Sequence, residues 1–273
     1  CDKDPKSPLP YKTVYYRLQV LINTHDLKDF FESFDVPNSK IIIVNSFYDL
    51  ESEQEFKHIA DTHNADFLRV SNQGYGYGNN RGCEHALRHY DFRFLIISNP
   101  DIKIQRLSLS ALQPVATSIV APKITTLKGK NQNPLMPFSL GRLNRWKYLT
   151  FRSHRRFIFL LFCIWARLCR IAFFSFFFLF GKKYTQIYAA HGAFVIIPRS
   201  IVEQLHPIYN EEMFLFCEEE QLAQLAGKHR IKTVYLPAIK IVHKENGSMS
   251  FLSESTFELT RKSFMILYET WFK

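Results

Sequence analysis

Three adjacent carboxylates, Glu218-Glu219-Glu220, follow the apolar run Phe214-Leu215-Phe216 within a predicted helix over 213–230. The helix dipole favours acids near a helix start, so a solvated first turn is the plain reading. Successive residues point about 100° apart, so at most one or two of the three can share a pocket. There, one can deprotonate a hydroxyl nucleophile. Asn99-Pro100-Asp101 closes the apolar run FLIIS. A carboxylate at a strand end can hold Mg²⁺ or Mn²⁺ against a diphosphate, although Asn-Pro-Asp is also a common turn. His243 ends the run IKIV, just before Lys244 and the turn Asn246-Gly247-Ser248. A lone histidine is usually structural, but at this place it can contact a metal or a diphosphate.

The stretch SNQGYGYGNNRG, 71–82, alternates Gly74, Gly76 and Gly78 with two tyrosines before Asn79, Asn80 and Arg81. A dinucleotide fingerprint needs G-x-G-x-x-G directly after a strand. The spacing here is G-x-G-x-G, and the stretch follows a first strand–helix pair rather than opening the fold. A surface turn rich in positive φ is the bland alternative.

These residues need elements to position them. RLQVLINTH (17–25), KIIIVNSF (40–47), ADFLRV (65–70), FRFLIISNPDIKI (92–104) and SIVAPKIT (118–125) read as strands. The continuous apolar runs mark strands buried on both faces. Helices are predicted over 26–34, 51–64 and 82–90, so strands and helices alternate through the first half. That is the α/β pattern of a mostly parallel central sheet flanked by helices. Ligands of such sheets sit at the carboxyl ends of strands, where His25, Asn45, Gln73 and Asn99 to Asp101 fall. After Lys183 the reading is a strand and helix over 188–205, the helix 213–230, two short strands (231–237 and 239–248) and an amphipathic helix over 251–273.

The 273 residues can form one large core or two small ones. Five cysteines without C-x-x-C spacing argue against a disulfide framework or zinc site and fit a reducing compartment. The first 30 residues carry no signal-peptide pattern. Cys1 suits a lipidated mature N-terminus or, more plainly, a shortened chain. Net charge is +10, and no acid lies between Asp101 and Glu203, an interval with sixteen basic residues. Such a field attracts nucleic acid, an anionic membrane or phosphate-bearing ligands. Within it, 151–183 is intensely apolar and rich in phenylalanine. Arg167 and Arg170 cut it into two runs of about ten residues, short of the roughly 20 a span needs. On one helix, Arg152, Arg156, Cys163, Arg167 and Arg170 fall within an arc of about 60°. A basic stripe on an apolar helix suits the membrane interface; a buried hairpin and a true span are the alternatives.

In order along the chain, NQGYGYGNNRG, IISNPDI, HGAFVIIPRS and FLFCEEEQLAQLAGKHRIKTVYLPAIKIVHKENGS resemble the bacterial rhamnosyl- and galactofuranosyl-transferase branch of glycosyltransferase family 2. The likeness runs from about 17 to 250, the insert excepted. It implies a GT-A fold and metal-dependent, inverting transfer of a sugar from a nucleotide donor. It implies a single catalytic domain over 1–250, with a nucleotide-sugar half (about 17–125), an acceptor half (about 184–250), a membrane-associating insert (about 150–183) and a C-terminal helix (251–273). By resemblance, Glu218 and Glu219 match the acidic pair that includes the catalytic base, with Glu219 in the base position. Asp101 and His243 fall on the metal and diphosphate site, with Asn99 beside them. Asn23, Thr24, Asn45, Gln73, Gly74, Gly76, Gly78, Asn80 and Arg81 line the nucleotide sugar, and Gly192 and Ala193 admit the acceptor. The implied cofactor is Mn²⁺ or Mg²⁺. The implied partners are a UDP- or dTDP-linked sugar and a lipid-linked glycan at the inner, cytoplasmic face of the membrane. Departures bear on the base: VNSFYD stands where Asp-Asn-x-Ser is usual, so Asn45 or Asp49 must substitute. Asn23-Thr24-His25 replaces Thr-Tyr-Asn, and Gln221 stands where Asp is frequent. A non-catalytic membrane scaffold of the same fold is the alternative these departures suggest. A nucleic-acid binder, suggested by charge, leaves Glu218–Glu220 and the Asn-Pro-Asp strand end unexplained.

Overall fold

The computed structural model describes residues 12–19, 24–46, 49–245 and 255–273. Its strands are β1 (Lys12–Gln19), β2 (Ser39–Ser46), β3 (Asp66–Val70), β4 (Phe92–Ser98), β5 (Ile102–Arg106), β6 (Ile119–Thr126), β7 (Thr185–Ile187), β8 (Phe194–Pro198) and β9 (Thr233–His243). The helices are α1 (Thr24–Ser33), α2 (Leu50–Thr62), α3 (Tyr75–His89), α4 (Leu143–Arg152), α5 (Arg156–Leu179), α6 (Arg199–Leu205), α7 (Glu218–Lys228) and α8 (Thr256–Trp271).

The strands form one sheet in the order β3-β2-β1-β4-β8-β6-β9-β5, with β7 added on β9. The first half, β3-β2-β1-β4, is parallel, as the alternation of strands and helices requires. The second half is mixed: β8 runs antiparallel to both β4 and β6, and β5 and β7 run antiparallel to β9. The predicted strand 92–104 is therefore two elements. Asn99 to Asp101 turn the chain out of β4 so that β5 pairs with β9 across the sheet, Ile102 opposite His243. Conversely, 231–248 yields one long strand rather than two, with a register shift against β6 between Pro122 and Lys123.

The buried runs account for the two layers. Ile42 and Val44 enter the core on one face of the sheet and Ile41 and Ile43 the core on the other, the period-2 arrangement of a strand covered on both sides. A third, smaller core gathers Phe151 of α4, Met213, Cys217, and Phe264 and Leu267 of α8. It seats the C-terminal helix against α4 and the segment that leads to α7. Ser255 caps that helix by accepting from the Glu258 amide.

The insert departs from the single-helix reading. The chain breaks after Arg152, and His154 takes φ 52°, so Arg152 lies on α4 and does not continue the stripe on α5. Arg167 and Arg170 do not divide α5, which runs unbroken for 24 residues. Phe157–Phe177 is long and apolar enough to cross a membrane by length and composition. Phe173 and Phe177 near its C-terminal end are buried in the main core, packed edge-on against Tyr235.

Candidate active site

The glutamates stand at a strained turn. Phe216 and Cys217 both adopt positive φ, 73° and 67°, a region costly for residues with a side chain. The turn starts α7 at Glu218 and sends the three carboxylates in different directions. Glu220 ion-pairs with Lys147 of α4, Nζ to Oε1 2.7 Å. Glu218 is buried, and its Oε1 has no hydrogen-bond partner among the described residues; burial and the neighbouring Glu219 push its carboxyl well above the usual carboxylate range. Glu219 lines a small pocket with His191, Gly192, Tyr188 and Tyr209. Its Oε1 accepts from the Gly192 amide at 3.1 Å, and burial raises its proton affinity despite that bond. This is what a poised base needs: a carboxylate held in place but reluctant to stay charged.

Gly192 is small for a reason. A Cβ there would lie 2.9 Å from Glu219 Oε1. The obstacle is the end of a flexible side chain, so Gly192→Ala is expected to leave thermal stability almost unchanged while displacing the carboxylate. Any reaction that uses Glu219 as its base should slow at least tenfold, and comparing Tm with initial rate checks both halves of that expectation.

The segment His191–Ala193 joins this pocket to the second cluster. Tyr75 Oη donates to the Gly192 carbonyl at 2.8 Å, and the Asn99 amide donates to the Ala193 carbonyl at 2.9 Å. Beyond Asn99, Asp101 Oδ2 lies 3.2 Å from His243 Nε2. Gln132 orients that histidine: its Nε2 donates to Glu245 Oε1, and its Oε1 lies 2.8 Å from His243 Nδ1. Nδ1 is then the donor, and Nε2 turns toward the carboxylate. Asp101 Oδ2 is buried without a hydrogen bond. An imidazole nitrogen and a carboxylate oxygen facing each other across this gap fit a divalent cation that takes its remaining ligands from phosphate and water. No group of three metal-ligating side chains occurs among the described residues; Asp101 and His243 are two that face each other. His191, half-buried beside His243 with ring centroids 5.8 Å apart, has its pKa pushed down to about 3 by desolvation, then by His243 and Arg170. It is neutral, and its Nδ1 accepts from the Ala193 amide.

Asn45 at the end of β2 is buried, with its Nδ2 unpartnered among the described residues. That donor suits a base or ribose oxygen. Asp49, the other substitute, is spent capping α2, accepting from Ser52 N and Oγ. Gln73 is exposed past β3 and bonds Ser71. Asn23 lies outside the described residues, as do Asn246 to Ser248; Thr24 opens α1, and His25 sits within that helix rather than at a strand end.

The glycine stretch is the main correction. It is not a loop before a helix at 82, for α3 already begins at Tyr75. Gly76 and Gly78 are buried inside it, Gly76 against Tyr209. Asn80 is fully buried and saturated: Nδ2 donates to the Tyr209 carbonyl and Glu211, and Oδ1 accepts from the Tyr209 amide. Arg81 pairs with Glu84 and Glu211. The Tyr75 amide, the first of the helix, donates to the Phe214 carbonyl rather than facing a ligand. These residues dock the helix onto the 209–214 segment that leads to the glutamates. Sequence reasoning missed Gln132 and Asn133, whose Oδ1 accepts from the His191 amide and which carry no motif, and it missed Tyr75 and His191, which stand inside the quoted NQGYGYGNNRG and HGAF.

No protein-family profile matches the chain. It is 25% identical over 214 residues to the low-salt glycan biosynthesis hexosyltransferase Agl10 of Haloferax volcanii, covering 76% of this chain and 59% of that protein. Among solved structures, GalNAc-T7 with UDP, GalNAc and Mn²⁺ aligns with a TM-score of 0.65 at 13% identity, covering 98% of this chain and 49% of that one. S. aureus TarS 1–349 with UDP-GlcNAc aligns at 0.54 and 12% identity, covering 89% and 62%. The chain thus spans about half to three-fifths of the length of these proteins. Its fold is that of the GT-A glycosyltransferases, with a mixed central sheet flanked by helices.

Proposed function

We propose that this chain is an inverting glycosyltransferase that moves a hexosyl group from a nucleoside-diphosphate donor to a hydroxyl of a lipid-linked glycan at the cytoplasmic face of a membrane. The observation that carries the reading is the His191–Ala193 segment: it binds Glu219 through Gly192 and adjoins the Asp101–His243 pair through Ala193 and Asn99. An acceptor hydroxyl at Gly192 would meet Glu219, and direct displacement at the anomeric carbon requires it to approach from the side opposite the donor diphosphate. Glu219 takes the hydroxyl proton as the oxygen attacks. Asp101 and His243 are the residues that would hold Mn²⁺ or Mg²⁺, which when bound neutralises charge on the departing diphosphate. Asn45 and Gln73 face the nucleoside from the strand ends. The relatedness to a hexosyltransferase of glycan biosynthesis supports the same reading.

The decisive test is a panel of UDP- and dTDP-linked sugars read by thermal stabilisation, with Mn²⁺, with Mg²⁺ and with chelator. A donor at 100 times its Kd adds about 2.7 kcal/mol when it binds only the folded state. One metal-dependent hit, lost in Asp101→Asn, is expected. A flat panel would instead favour the non-catalytic scaffold.

The membrane part of the proposal rests on α4 and α5. They enclose an apolar groove of about 840 Å³ that includes Trp146, Leu149, Leu161 and Trp165, and α5 leaves Phe157, Leu160, Ile164 and Leu168 exposed. Arg145, Arg152 and Arg155 are exposed nearby, with no acid within the insert. Because Phe173 and Phe177 tie α5 to the body, the helix is proposed to lie in the interface rather than to cross it. Trp146 and Trp165 are 66% and 40% exposed. A Trp146→Ser/Trp165→Ser protein is expected to lose tenfold or more of its affinity for phosphatidylglycerol vesicles, as about 1.5–3 kcal/mol per large side chain implies. Vesicle sedimentation measures it.

A further inference from the structure

Lys147 lies on α4, the helix that leads into the insert, yet its ammonium is buried against α7. Nζ donates to Glu220 Oε1, both side chains 10% exposed, and sits 4.1 Å from the Phe264 ring centroid on α8. On either side of Lys147, Tyr148 stacks on Tyr268 at 4.1 Å and Phe151 closes the small core with Met213, Cys217 and Phe264. α4 therefore holds the first turn of α7 by one charge and α8 by aromatic contacts, with Cys217 of the strained turn in the core they share. Burial presses the Lys147 ammonium toward losing its proton, but the Glu220 carboxylate outweighs it, and the lysine stays charged.

We propose that Lys147 is a positioning residue for sugar transfer: it draws Glu220 away from the pocket, so that Glu219 alone faces Gly192, and it cancels the negative charge that Glu220 would otherwise lay on Glu219. The proposal rests on the reading of Glu219 as the base. Without such a cation, two adjacent buried carboxylates would each make the other harder to ionise. The α4–α5 segment that is proposed to sit on the membrane thus also tunes the base, which links the docking surface to the chemistry through a single side chain. The other titratable groups around Glu219 are Glu218, Cys217 in the turn, Tyr75 of α3, and Tyr209 and His191 from the loops. Among these groups and Glu220, Lys147 is the fixed cation.

The test is a carboxyl titration by ¹³C NMR on glutamate-labelled full-length protein in detergent, the Glu219 signal being assigned by its loss in Glu219→Gln. Relative to wild type, the Glu219 midpoint is expected to fall by about one unit in Glu220→Gln, where the ammonium is left without its counter-charge. It should rise by about one unit in Lys147→Met and return close to the wild-type value in Lys147→Met/Glu220→Gln and in Lys147→Arg. Should Lys147→Met not fold, because it strands a buried carboxylate, Glu220→Gln and the double variant still decide the matter. An unmoved midpoint in Glu220→Gln, or equal shifts in Lys147→Met and Lys147→Arg, would overturn the proposal. The titration needs no substrate. If it behaves as expected while Glu219→Gln transfers normally, only the base reading fails.

Discussion

Sugar transfer by the Glu219→Gln protein is expected to fall by about 10²–10⁴-fold, the usual contribution of a general base, with donor affinity retained. The amide keeps the shape of the carboxylate, and its oxygen can still accept from the Gly192 amide that now meets Oε1 at 3.1 Å. What it loses is the ability to take a proton. Donor affinity should persist because the Asp101–His243 pair and Asn45 are untouched. Isothermal titration with the donor and initial-rate assays on the same preparation separate the two. Normal transfer by this variant would reassign the base, with Glu218 next in line. The pH profile of the wild type carries a further sign. Burial raises the Glu219 carboxyl above its ordinary 4.5, and the base works only when ionised. The acid limb of kcat/KM should therefore lie above the ordinary carboxylate range, activity being lost as pH falls through the raised value. For stability the sign is opposite. Glu218, raised by burial and by Glu219, binds its proton more tightly folded than unfolded. Its contribution is present in full below the unfolded value and is lost as pH rises through the folded one.

Gly74→Ala is expected to be the most destabilising of the glycine substitutions considered. Gly74 has φ 110°, and a Cβ there would stand 2.6 Å from the Phe214 Cα and 2.9 Å from its carbonyl carbon. The obstacle is backbone, and that backbone also accepts the Tyr75 amide. Neither side can give without unseating α3 from the segment leading to the glutamates. Backbone strain and overpacking together cost about 2–6 kcal/mol, which for a chain of this size lowers Tm by roughly 5–20 °C. Scanning calorimetry measures it. Gly192→Ala is the control, since a Cβ there meets only a movable carboxylate. Equal loss of stability in the two variants would contradict the contrast between backbone and side-chain obstacles.

The fold class and the ends of β2 and β3 were legible in the sequence, whereas the first strand, expected over 17–25, is Lys12–Gln19 and residues 24–25 already belong to α1. The apolar runs in β2 and β4 cannot face water on either side, so they require a sheet covered by helices, and the polar residues that end them, Asn45 and Asn99 to Asp101, fall at its ligand edge. The triple glutamate stood out in the sequence, and the 100° spacing already implied that its members part company. The direction each takes was not. Glu220 is drawn off by Lys147, 73 positions away, and Glu219 is held by Gly192, 27 positions away, and no local pattern encodes either partner. The glycine stretch misled for the same reason. Its composition speaks of backbone freedom, but Gly74 and Gly76 answer to close contacts with Phe214 and Tyr209, and Asn80 to hydrogen bonds across 129 residues. Periodicity and residue type report what a segment buries and where it ends. Which side chains converge on one cavity depends on loop closures over tens to hundreds of residues. The tertiary structure alone decided that His191, Gln132 and Lys147 belong beside the residues the motifs announced.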